Sequence, residues 1–230
     1  MIQFNENLYS ESYSLGLLEQ EKIIAEEKGI PTTDSITGIE VRLSNVYIID
    51  NHTGKFVLFP GNADLYLINL VISDRQEKPI MQNINGFEKV NDNESLNVDK
   101  TVYYWKQSDE NETPPSQIHL MTSVIKSKKG LRNVGEIMAS VDQDKELNDL
   151  ADKALALLKT STQAASLILE AAGIIGKHLK NVEDKPLFTR YLSLTDIGGD
   201  FNQLGRTSYP ASNKYCKIDY NLFIRDKDRP

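Results

Sequence analysis

The chain has 230 residues, of which 40% are hydrophobic and 26% charged, with a formal net charge of −7 and one cysteine. That length and balance fit one folded domain with an appendage. The negative charge speaks against nucleic-acid binding through a general basic field. The single cysteine, Cys216, excludes an intrachain disulfide and a cysteine-based metal site.

Residues 1–33 read as an acidic leader, with six glutamates against two lysines. Within it, residues 14–28 read as a short amphipathic helix with Leu17, Leu18, Ile23 and Ile24 as its apolar face. Gly29 and Pro31 give the stop signal. The start, MIQFNENLYS, has neither a basic n-region nor an apolar h-region, and no run of 18 apolar residues follows. The expectation is a cytoplasmic protein, with non-classical export left open.

Residues 34–230 read as one β-sandwich domain interrupted by a helical insert at 142–181. In 38–50, GIEVRLSNVYIID, Ile39, Val41 and Leu43 alternate with Glu40, Arg42 and Ser44, the period of a strand. A turn at 50–54 leads to a short strand at 55–59. Residues 62–73, NADLYLINLVIS, form an apolar, aromatic strand. The polar stretch 74–99 hides one more strand around 80–87. Strands follow at 101–106, TVYYWK, and 117–127, QIHLMTSVIKS. The latter ends in a basic loop, 126–130, and 131–140 reads as a helical turn.

The insert carries apolar residues at gaps of three and four from Leu147 to Leu179, and it is rich in Ala, Leu, Lys and Glu. Asp142 or Asp144 caps its start. Unbroken, it would run about 60 Å. The capping-box pattern Thr160-Ser-Thr-Gln163 therefore marks a break between two helices of a hairpin. Beyond it come a strand at 187–194, a Gly/Asp loop at 195–205 and an alternating strand at 215–225. Seven or eight strands without regular strand–helix alternation predict an antiparallel sandwich.

Calcium takes six to eight oxygens from loops rich in Asp, Asn and carbonyls. Such loops hold Asp64, Asp142 and Asp144, and Asp196 and Asp200. The competing reading is that Asp142 and Asp144 cap a helix while Asp196 and Asp200 shape a turn. There is no nucleophile elbow and no P-loop. Cys216 sits in mid-strand, where packing is the plain reading, and His52, His119 and His178 share no spacing. Tyr103, Tyr104 and Trp105 alternate faces, so Tyr104 and Trp105 are candidates for stacking on a ligand or anchoring a partner. Lys126, Lys128 and Lys129 form a positive cluster on an acidic chain, fit for an anionic headgroup or an acidic partner.

The run Asn62-Ala-Asp64-Leu-Tyr66-Leu, after an opening strand at 39–50, resembles the C2 domain. So does Asp142-Gln-Asp144 followed by Asp149. The resemblance implies an antiparallel sandwich with calcium-binding loops at one end that often meet membranes. Leu65 departs from the family's proline, and a helix follows Asp142 where the family continues into a strand.

The expectation is thus a mainly β protein: an antiparallel, C2-like β-sandwich with an α-helical hairpin insertion and a short N-terminal helix. No residue set with catalytic spacing stands out, so a non-catalytic binding or assembly module is expected. Its helical appendages would make a homo-oligomer or contact a protein partner. The alternative is a calcium-dependent peripheral membrane or ligand-binding module. A hydrolase comes third.

Overall fold

The computed structural model describes residues 36–54, 61–75, 80–96, 98–128, 130–131, 134–158, 164–181 and 183–227. The expected leader helix, the strand at 55–59, the break at 160–163 and Lys129 lie outside them.

β1 (Ile36–Ile48) lies between β9 (Cys216–Asp226) on one side and, on the other, β5 (Lys100–Lys106) and β4 (Glu94–Leu96) end to end. β8 (Gly205–Ser212) pairs with β9 and completes a five-stranded antiparallel sheet. The second sheet runs β3 (Ile80–Val90), β2 (Ala63–Ser73), β6 (Gln117–Lys126) and β7 (Lys185–Thr195), again antiparallel throughout. The antiparallel sandwich read from the sequence is the fold.

The alternation within β2 explains the layering. Leu65, Leu67 and Val71 join Val41, Leu43, Val124, Leu194, Ile218 and Leu222 in a core between the sheets. Tyr66, Ile68, Leu70 and Ile72 point the other way. A strand apolar on both faces needs a cover on each. Here the second cover is helical: α1 (Val134–Asp142), α2 (Lys145–Leu158) and α3 (Ala164–Asn181). Val134, Val141, Leu150, Ile168, Ala171, Ile175 and Leu179 bury themselves on Tyr66, Ile68, Leu70, Met121 and Ile125. Fully burying each such side chain stabilises by about 1.5–3 kcal/mol.

This changes the reading of the insert. The described apolar side chains of the insert are spent mostly on the chain's own sheet, Leu169 apart, so they do not by themselves argue for contacts between subunits. Among the described residues its helices number three, because the stretch 131–140, read as a helical turn, is largely a helix of its own, α1, which begins at Val134. Asp142 is the last residue of α1, and Asp144 is the true cap: its Oδ1 accepts the Leu147 N–H at 3.2 Å. Among the described residues no helix is long and apolar enough to cross a membrane.

Candidate functional site

Among the described residues the outer cover is incomplete at one end. A cleft of about 820 Å³ opens between α3 and the β6–β7 end of the four-stranded sheet. One wall is a single helix face: Ala172, Ile175, Gly176, Leu179 and Lys180, which recur at intervals of three and four. The other wall is Met121, Ser123, Thr189 and Tyr191 from β6 and β7. The floor is mostly apolar, and the mouth carries Lys126, Lys128, Lys180 and Lys185. The volume lies in the range of small-ligand sites.

The end of α3 shapes this mouth. The N–H groups of Glu183 and Asp184 bond back to the carbonyls of Lys180 and Leu179 at 3.2 Å each. That is a Schellman closure, with Glu183 at φ 61° in the place where glycine is usual. The turn delivers Asp184 into the sheet's edge. Its Oδ2 accepts the Tyr66 hydroxyl at 2.7 Å, and its Oδ1 accepts the Lys128 N–H at 2.8 Å. Burial, then the Asp184 carboxylate, raises the Tyr66 pKa far above its ordinary value. Tyr66 therefore stays a protonated donor. The Lys128 ammonium pairs with Glu183.

The ladder sets the other cations. Phe188 pairs with Val124, but Pro186 pairs with Ile125, so a bulge at this point re-aims β7 as it enters the mouth. Beyond it Lys126 stands directly opposite Lys185. The Lys126 Nζ donates to the His52 carbonyl at 2.9 Å and to Thr53 Oγ1 at 2.7 Å. Burial first, and the Lys185 charge second, lower its pKa. Neither Lys126, Lys180 nor Lys185 has a carboxylate within ion-pair distance among the described residues.

The other sequence candidates lie elsewhere. Asp64 accepts the Lys89 N–H through Oδ1 at 2.9 Å, at the Lys126 end of the sheet. Asp200 accepts the Thr195 N–H at 2.8 Å and the Tyr209 hydroxyl at 3.1 Å. Asp196 sits in the same turn, where Thr195 pairs with Gln117 at the far end of β6. Nine residues of strand, about 30 Å, separate the two ends. Asp144 meets the third histidine, His178, at 2.7 Å among the helices. Among the described residues no three His, Cys, Asp or Glu side chains gather closely enough to hold a metal. Asp64, Asp144 and Asp200 are not gathered around one point: their carboxylates serve a strand end, a helix cap and a turn.

Tyr104 is 58% exposed on the five-stranded sheet, away from the helices, while Trp105 is buried and donates its indole N–H to Glu112 at 3.1 Å. They do not join the lysine cluster. Cys216 is fully buried, and burial pushes its thiol up to about 12, so it is packed, as expected. His119 touches Ser193 at 3.0 Å and Gln117 at 3.1 Å, but neither His119 nor Ser193 lines the cleft. Burial holds the His119 ring down at about 4, hence neutral. A further polar group, Asn69, Thr122 and Tyr220, ties the two sheets together inside the core.

The basic loop was visible in the sequence as Lys126 and Lys128. Lys180, Asp184 and Lys185 were missed, because they reach the mouth only through the end of α3 and the β6–β7 ladder. The available signal was the row 172, 175, 176, 179, 180, which shares one helix face.

Fold and site together define an antiparallel β-sandwich whose helical cover leaves a lysine-rimmed cleft over one sheet. No family model and no curated protein sequence matches the chain. Among solved structures it is similar to human GIVD cytosolic phospholipase A2 in complex with methyl gamma-linolenyl fluorophosphonate inhibitor and terbium chloride. The TM-score is 0.39 at 9% identity, covering 84% of this chain and 18% of that one. It is also similar to Drosophila C2-DSL-EGF1, with a TM-score of 0.37 at 8% identity over 81% of this chain and 66% of that one. At these scores neither the fold nor the function rests on the likeness.

Proposed function

We propose that the protein is a non-catalytic binding module that takes a small ligand in the cleft between α3 and the four-stranded sheet. The observation that carries this is the cleft itself: about 820 Å³, mostly apolar inside, with Ser123 and Thr189 satisfying each other in one wall and the lysines at its mouth, the form of a ligand pocket. The alternating rows of β6 and β7 supply one wall and a helix face the other, so both walls stand on regular elements. The test is titration with the uncharged dye Nile red against the wild type and Thr189→Trp, which fills the cleft from the β7 side. The reading expects saturable fluorescence with the wild type and at least tenfold weaker binding to the variant. Equal binding to a folded Thr189→Trp protein overturns it.

A further inference from the structure

Resting on that reading, the geometry points to the occupant: a single-chain anionic amphiphile, an alkyl or acyl chain ending in a carboxylate or phosphate, taken up as a monomer. The chain would lie between Ile175 and Leu179 of α3 and Met121 and Tyr191 of the sheet, which line the two walls. The head would sit at the mouth among Lys126, Lys180 and Lys185.

The charge arrangement argues for an anion there. Lys126 and Lys185 face each other across the β6–β7 ladder. Like charges directly opposite are unfavourable in an antiparallel pair. Of the nearby acids, Asp50 only partly offsets the Lys185 charge felt at Lys126, and it forms no ion pair there. Glu183 is engaged by Lys128, and both Asp184 oxygens accept hydrogen bonds from Tyr66 and the Lys128 backbone. Among the described residues, Lys126, Lys180 and Lys185 thus line one opening without an ion-pair partner, Lys126 keeping one N–H beyond those given to His52 and Thr53, on a chain of net charge −7. An anionic head would take charge-assisted hydrogen bonds from ammonium groups that now repel one another.

A bilayer fits less well. The apolar surface in question faces inward between two walls, and among the described residues the large exposed apolar side chains are spread over four places: Ile49 after β1, Tyr104 in β5, Leu169 in α3, and Ile197 and Leu204 in the loop before β8.

The experiment is calorimetric titration of the full chain with four ten-carbon ligands below their micelle concentrations: decanoate, decyl phosphate, 1-decanol and decyltrimethylammonium. Anionic vesicles are added in a separate sedimentation arm. The expected order is anion, then alcohol, then cation, with decanoate at least tenfold tighter than decanol. Shortening the carboxylate by one methylene should cost about fourfold. Lys126→Gln/Lys185→Gln should weaken decanoate about tenfold and leave decanol unchanged.

Decanol binding as tightly as decanoate overturns the anionic occupant while leaving the cleft a ligand site. No binding of decanoate beside saturable Nile red binding overturns it in the same way. Absence of binding by every ligand and by the dye fails both readings. Sedimentation with anionic vesicles without any heat from decanoate replaces the monomeric ligand with a membrane surface.

Discussion

Tyr66→Phe tests the joint on which the cleft depends. Tyr66 is fully buried in β2, and its hydroxyl is the donor to Asp184 Oδ2 at 2.7 Å. Removing that one oxygen leaves the Asp184 carboxylate, only 7% exposed, with one hydrogen bond fewer. A hydrogen bond to a charged group contributes about 1.5–3 kcal/mol. Taking about 2 kcal/mol, a chain of this size loses about 4–8 °C of melting temperature. The consequence reaches the site, because Asp184 also accepts the Lys128 N–H and follows the closing turn of α3. Nile red should therefore bind more weakly as well. The assay is a denaturant and thermal cycle with Tyr66→Phe, Asp184→Ala and the double variant, beside dye titration. A coupling energy of about 0.5 kcal/mol or more is expected. A Tyr66→Phe melt within 1 °C of the wild type, with additive single effects, would refute the reasoning.

Other outcomes follow from the same structure. Glu40 is 5% exposed, and burial would raise its pKa, but hydrogen bonds from Thr101, Arg225 and Arg42 outweigh that and hold it near 2, against 4.5 ordinarily. Its stabilisation is thus complete above about pH 4.5 and is lost as pH falls toward 2. Glu40→Gln should flatten that acid limb in a pH series of melts. Glu183→Gly should melt at or above the wild-type temperature, since relief of the left-handed backbone, about 1 kcal/mol, meets the loss of an exposed ion pair worth about 0–1 kcal/mol. Asp144→Ala removes the α2 cap and the His178 partner and should cost about 0.5–2 kcal/mol by denaturant titration. Calcium against chelator should leave the melting temperature unchanged, and a clear calcium-dependent rise would contradict the dispersal of the aspartates.

The sandwich was legible because β2 is a near-continuous apolar run, β6 carries Ile118, Leu120, Met121, Val124 and Ile125 in a short strand, and β1 and β9 alternate. The strand β8 was not. Its residues, GRTSYPAS, bury no apolar side chain fully, since it is an edge strand that pairs only with β9. Edge strands carry little hydrophobic signal. The helices were legible as helices from their spacing, but not the sheet face they cover. That depends on which strand is apolar on both sides, and periodicity alone does not say what covers the second face. The C2-like reading foresaw the sandwich and placed the chemistry in the stretches of Asp64 and of Asp142 and Asp144, yet Asp64 lies at the Lys126 end of the four-stranded sheet while Asp144 caps α2 among the helices. The lysine rim was half visible, because Lys126 and Lys185 are 59 positions apart and only the ladder brings them face to face.

The most direct test of the central claim is hydrogen–deuterium exchange of the full chain with and without saturating decanoate. The account predicts slowed exchange in residues 121–131 and 172–191, the two walls and the mouth of the cleft, with the five-stranded sheet unchanged. Protection confined to β1, β5, β8 and β9, or no protection at either wall while the ligand is demonstrably bound, would contradict it.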